Sequence, residues 1–147
     1  MSGRALLLAT RSAGKLRELR PMFAAAGWAV RDLGEAGIPE SAAEDALEIH
    51  ATFEENARAK ARYFFARAGG WPVVADDSGL EVAALDGAPG VHSKRWSGRI
   101  DLAGAALDEA NNALLLARLR GVEDRRARYV CAAVYWDGVR EVMARGE

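Results

Sequence analysis

The segment Val73-Val74-Ala75-Asp76-Asp77-Ser78-Gly79-Leu80 passes abruptly from an apolar, β-branched run to two adjacent carboxylates, a hydroxyl and a glycine. It reads as a buried strand delivering acidic groups to its carboxyl end, where ligands gather in open α/β sheets. Neighbouring carboxylates repel, so they call for a cation, a shared proton or hydrogen-bond donors beside them. A divalent metal on phosphate is the commonest functional use of such a pair. The plainer reading is a polar strand-end turn, in which Asp and Ser bond nearby amides.

Strand and helix patterns alternate on both sides of this segment. Ala5 to Ala9 forms a first aliphatic strand, and Lys15 to Ala26 sets Leu16, Leu19, Phe23 and Ala26 on one helical face. Gly27 caps that helix and Pro21 predicts a kink within it. Trp28 to Leu33 reads as a second strand, and residues 34–51 as an ordered loop with short helical turns. Thr52-Phe53-Glu54-Glu55 is a capping-box pattern, with Glu55 reaching back to Thr52, and opens a helix to about Arg67. Asn56 and Lys60 share a face of it. The third strand covers Val73 to Ala75, and Asp86-Gly87-Ala88-Pro89-Gly90 is a turn-rich loop. A helix over roughly Leu102 to Leu119 follows. Tyr129 to Trp136 and Val139 to Ala144 then flank Asp137-Gly138, a two-residue hairpin signal. The expectation is a single α/β domain with a mixed, elongated central sheet flanked by helices.

Composition narrows the function classes. The 147 residues suffice for one domain with its own core. Twenty Lys and Arg against twenty-one Asp and Glu leave a formal net charge of -1. No global field therefore draws the chain to nucleic-acid polymers or anionic membranes. The single cysteine, Cys131, precludes an internal disulfide and reads as core. His50 and His92 lack zinc-ligand spacing to each other or to Cys131. Trp71, Trp96 and Trp136 read as packing residues, and the arginines between 118 and 128 as a solvated helix end and strand start. No run approaches membrane-spanning length and the first apolar stretch is a strand, so a soluble cytoplasmic protein is expected.

Thr10-Arg11-Ser12-Ala13-Gly14-Lys15 follows the first strand and opens the first helix. Small residues there let amides point outward toward an anion, and Lys15 adds a mobile charge. It is not a Walker A loop, because the first glycine is missing and Leu16 replaces the Ser/Thr. An ordinary strand-to-helix turn with a solvated lysine is its plainer reading. Glu44, Asp45 and Glu48 cluster before the capped helix as a charged loop. Taken together, an anion-cradling turn, a lysine on the second helix and carboxylates on strand three compose a phosphate site.

That combination resembles the non-standard purine nucleoside triphosphate pyrophosphatases, also called the inosine triphosphatase or Ham1-like family. The resemblance rests on Ala9-Thr10 with Gly14-Lys15, on Thr52-Phe53-x-Glu55-Asn56-Ala57-x-x-Lys60-Ala61, and on Ala75 to Leu80. It continues through Gly87-Ala88-Pro89-Gly90-Val91-x-Ser93-x-Arg95, Asn111-Asn112 and Leu114-Leu115. It implies hydrolysis of ITP, dITP or XTP to the monophosphate and pyrophosphate, with Mg2+ as cofactor. It implies further a homodimer whose partner molecule is a small nucleoside triphosphate. Asp77 aligns with the general base and metal ligand, and Glu48 with the acidic residue that helps hold the metal. Thr10, Arg11, Ser12, Ala13, Gly14, Lys15 and Lys60 would hold phosphates, and Ser78 would contact substrate; whether Asp76 shares the metal stays open. Ser12, His50 and His92 depart from the asparagine, glycine and tyrosine usual at their positions. Such proteins also ordinarily continue past the Asp137-Gly138 hairpin into base-gripping Phe-Gly-Tyr-Asp and Ser-His-Arg segments. A C-terminally truncated chain that barely distinguishes bases is therefore expected. A non-catalytic nucleotide-binding remnant and the Maf-type nucleotide pyrophosphatases are the alternatives. Keeping Glu48, Lys60 and Asp77 together favours the enzyme over the remnant.

Overall fold

Leu6, Leu7 and Leu8 leave the first strand no polar face, so it must be covered on both sides. In the computed structural model, which describes residues 3–147, this is what happens. All three leucines are buried in β1 (Arg4–Leu8). β2 (Trp28–Asp32) and β3 (Val73–Val82) lie parallel to β1 on its two sides, in the five-strand order β2-β1-β3-β4-β5. The register sets Leu8 beside Val74, so β3 runs on past the end of β1. Four residues join β4 (Ala127–Trp136) to β5 (Glu141–Gly146), too few for a parallel crossover, so that pair is antiparallel and the sheet mixed.

The described residues group into two compact units, one up to Asp77 with Ala132–Arg145 and one of Ser78–Cys131 with residues 146–147. In the first unit the period of two along each strand assigns the helices. Leu6, Leu8 and Val74 face α1 (Ala13–Ala25) and pack with its Leu16, Leu19 and Phe23. Leu7, Ala9, Val73, Ala75 and Val134 face α2 (Phe53–Phe65) and pack with Ala57, Ala61 and Phe64. Ala57 and Ala61 are fully buried one helical turn apart, and their small size lets α2 lie close to the sheet. Burying Phe64 alone is worth about 1.5–3 kcal/mol.

In the second unit Ala83 N–H donates to the Arg126 carbonyl at 2.9 Å. Ser93 Oγ accepts from Leu80 N–H at 2.9 Å and donates to the Gly90 carbonyl at 2.7 Å. Buried Asn111, on α3 (Gly104–Arg118), receives Ser97 N–H and donates to the Lys94 carbonyl, latching the preceding segment.

Three expectations change. β3 does not stop at Ala75 but carries Asp76 and Asp77 inside it, because both carboxylates find partners there. The hairpin turn has four residues, since Asp137 Oδ1 accepts from both Val139 and Arg140 N–H and opens the loop. At Thr52 the forward bond forms, with Oγ1 accepting from Glu55 N–H at 3.1 Å, whereas the complete reciprocal box lies at Ser41 and Glu44. That box opens the 3-10 segment Ala42–Glu48, one of the helical turns expected between residues 34 and 51. Among the described residues no helix is long and apolar enough to cross a membrane.

Candidate active site

Alternation along β3 sends its two adjacent carboxylates to opposite faces. Asp76 follows Val74 toward α1, where its Oδ2 meets Lys15 Nζ at 2.8 Å. Asp77 follows Ala75 toward α2, where its Oδ2 accepts from Asn56 Nδ2 at 2.9 Å and its Oδ1 lies 3.9 Å from Lys60 Nζ. The repulsion implied by the pair is thus met by a lysine on each face of the strand.

Lys60 stands between two acids. Its Nζ is 2.9 Å from Glu48 Oε1, at the end of the Ser41-capped segment, as well as facing Asp77. The lysine side chain is 12% exposed, so this is an interior cation and not a solvated helix face. Burial pushes the Asp77 carboxyl above its ordinary range. The Asn56 bond and the Lys60 charge oppose that rise, and Glu48 adds to it. A desolvated carboxylate beside a second one is an oxygen-donor pair suited to a hard cation. Among the described residues no group of three or more His, Cys, Asp or Glu assembles a metal site alone. Two carboxylates completed by phosphate oxygens fit the way a magnesium-type ion is usually bound.

The turn between β1 and α1 is a side-chain-capped helix start. Ser12 is the N-cap: its Oγ accepts from Lys15 N–H at 3.3 Å, and its own N–H donates to Thr10 Oγ1 at 3.1 Å. Ala13 and Gly14 supply the first helical amides there. Arg11 behaves otherwise. Its guanidinium donates to both Glu44 carboxylate oxygens, at 2.8 and 3.0 Å, and to the Ile38 and Pro39 carbonyls at 3.0 Å. The structure thus spends that side chain on fixing residues 38–44, leaving its main chain to the turn.

Glu48, Lys60 and Asp77 are therefore brought together on the α2 side of β3, and the residue 10–15 turn with Lys15 and Asp76 on the α1 side. Ser78 belongs to the second unit, where its hydroxyl lies 2.8 Å from Tyr129 Oη. Asn56 was visible in the sequence only as a motif residue on the Lys60 face. Its four-residue spacing from Lys60 was the available signal, and nothing in the pattern revealed that it bonds Asp77.

Fold and site define an α/β protein in which lysine–carboxylate pairs lie on both faces of β3, one of them with the lysine of the capped α1 N-terminus. The Ham1 family model matches residues 6–147, and the chain belongs to that family. It is similar to a protein named dITP/XTP pyrophosphatase from Burkholderia pseudomallei, 51% identical over 126 residues, covering 86% of this chain and 57% of that one. A protein of the same name from Mycolicibacterium paratuberculosis is 52% identical over 145 residues, covering 97% and 67%. The chain thus spans a little over half the length of the first relative and two thirds of the second. Among solved structures, the Staphylococcus aureus Ham1 protein matches with a TM-score of 0.74 at 32% identity, covering 97% of this chain and 68% of that one. A nucleoside-triphosphatase, dITP/XTP pyrophosphatase from Mycobacterium abscessus matches with a TM-score of 0.70 at 38% identity, covering 97% and 71%.

Proposed function

We propose that the chain carries the phosphate-holding and catalytic groups of a nucleoside-triphosphate pyrophosphatase that converts dITP, XTP or ITP to the monophosphate and pyrophosphate. The observation that carries this reading is Lys60 of α2 seated between Glu48 and Asp77, whose neighbour on β3, Asp76, pairs with Lys15. A binding-only protein has no need of a second carboxylate facing the lysine. The names of the similar proteins supply the substrate class.

Asp77 is the general base. Its Oδ1 takes a proton from water, the water oxygen bonds to the α-phosphorus, and the bond from that phosphorus to the α–β bridging oxygen breaks. Pyrophosphate leaves with the electron pair. Lys15 and Lys60 exchange carboxylate partners for phosphate oxygens and stabilise the leaving charge. The amides of the turn formed by Thr10, Arg11, Ser12, Ala13 and Gly14 hold the polyphosphate at the α1 N-terminus, and Ser78 contributes a substrate contact. Glu48 and Asp77 would hold Mg2+, which when bound offsets phosphate charge and polarises the reacting phosphoryl group. A small-molecule nucleotide is the partner, and a cytoplasmic homodimer the working state, checked by sedimentation of the purified protein.

Incubating the chain with dITP or XTP, with and without magnesium and free of added pyrophosphatase, tests the reading. Pyrophosphate appearing only with the metal is expected; orthophosphate as the initial product would overturn the assigned bond.

A further inference from the structure

Asn56 is 0% exposed, in a helix that otherwise buries Phe53, Ala57, Ala61 and Phe64. A polar amide costs stability at such a position unless its hydrogen bonds are made. Both ends of this one are engaged. Oδ1 accepts from His50 N–H at 2.9 Å, and Nδ2 donates to Asp77 Oδ2 at 2.9 Å. Chemistry fixes which end is which. A main-chain N–H can only donate, so the amide oxygen must face His50, and the NH2 group is left for the carboxylate.

We propose that Asn56 is the positioning residue of this site, setting the mutual placement of Glu48, Lys60 and Asp77; the inference rests on the reading given under Proposed function. By occupying Asp77 Oδ2, it turns Oδ1 toward Lys60 and leaves that oxygen to take the proton from water. By holding His50 N–H, it ties down the segment that presents Glu48 two residues earlier. Lys60 lies one helical turn further along the same face. One side chain therefore connects the three elements that bear the reacting charges: the segment ending at Glu48, α2 and β3. A leucine would fill the same volume without fixing either acid, so packing alone does not account for an amide here.

The test uses Asn56→Ala and Asn56→Ser, the second retaining a hydroxyl for one of the two bonds. Thermal unfolding, Mn2+ affinity by electron paramagnetic resonance, and kcat and KM with magnesium are compared with wild type. Outer-sphere partners of metal ligands typically govern affinity or activity by about 10–100-fold. Folded variants are expected to bind Mn2+ at least ~10-fold more weakly and to lose kcat by about 10–100-fold, with KM for dITP changing less. Folded variants with wild-type Mn2+ affinity and kcat would overturn the proposal, and so would failure of both to fold, which would assign Asn56 to the core. Absence of Mn2+ binding and turnover in the wild-type chain would instead overturn the pyrophosphatase reading itself.

Discussion

Asp77→Asn separates a group kept for function from one kept for stability. Asp77 is 8% exposed, and burial pushes its carboxyl above the ordinary carboxylate range, with Glu48 adding to the rise and Asn56 and Lys60 opposing it. The native state then binds this proton more tightly than the unfolded chain does. Stability therefore falls as pH rises from the unfolded carboxylate value, near 3.9, to the raised folded value, and the loss is complete above it. An asparagine carries no charge to desolvate, so the variant lacks this falling segment. Its side-chain oxygen can still accept from Asn56 Nδ2, and Lys60 keeps Glu48 at 2.9 Å while losing a partner at 3.9 Å. The gain from desolvation and the loss at Lys60 oppose each other. Stability at pH 7 should thus stay within about 1 kcal/mol of wild type or exceed it. Turnover should fall by roughly 10²-fold or more, since the same change removes the proposed base and metal ligand. Urea unfolding at several pH values, with pyrophosphate release measured on the same samples, reads both quantities. Turnover within about 3-fold of wild type would refute the assignment of Asp77 as base. A destabilisation beyond ~3 kcal/mol would show that the carboxylate serves the fold.

Other substitutions probe the surrounding structure. Lys60→Met should cost about 1–3 kcal/mol in urea unfolding, below a fully buried pair because Glu48 is 28% exposed, and should lower turnover by about 10²-fold. Arg11→Met should release residues 38–44, raising their amide exchange. It should also reduce the stability that the lowered Glu44 pKa supplies above the unfolded carboxylate range and that wild type loses as pH falls through the folded value, the Ser41 N–H bond to Glu44 keeping a part of it. Gly138→Ala places a Cβ 2.7 Å from Phe65 Cζ at φ +93°, and should lower stability by about 1–3 kcal/mol, read as a shifted urea midpoint.

Much of this site is written in local sequence. The Thr52 cap and the four-residue spacing of Asn56 and Lys60 place both side chains on one face of α2, and the apolar run ending in Asp76-Asp77 marks the right strand. What local pattern does not carry is the identity of tertiary partners. The polar pair looked like the end of a strand, yet β3 continues because Lys15 and Asn56 satisfy one carboxylate on each face. Arg11 sits in the anion-binding turn by sequence, but Glu44, thirty-three positions away, takes its guanidinium. The hairpin signal at Asp137-Gly138 gave the right location, and the Asp137 carboxylate set a longer loop by capping two amides. Asn56 shows the limit most plainly. Its face follows from periodicity, while its bonds to His50 and Asp77 exist only once β3 and the Glu48 segment are packed against α2.

The central claim is that water attacks the α-phosphorus with Asp77 as base, so the fate of the water oxygen is the most direct measurement. Hydrolysis of dITP in 18O-enriched water, followed by mass analysis of both products, locates the bond that breaks. The account predicts one label per turnover in deoxyinosine monophosphate and none in pyrophosphate. Label in pyrophosphate, or in orthophosphate released beside a nucleoside diphosphate, would contradict it.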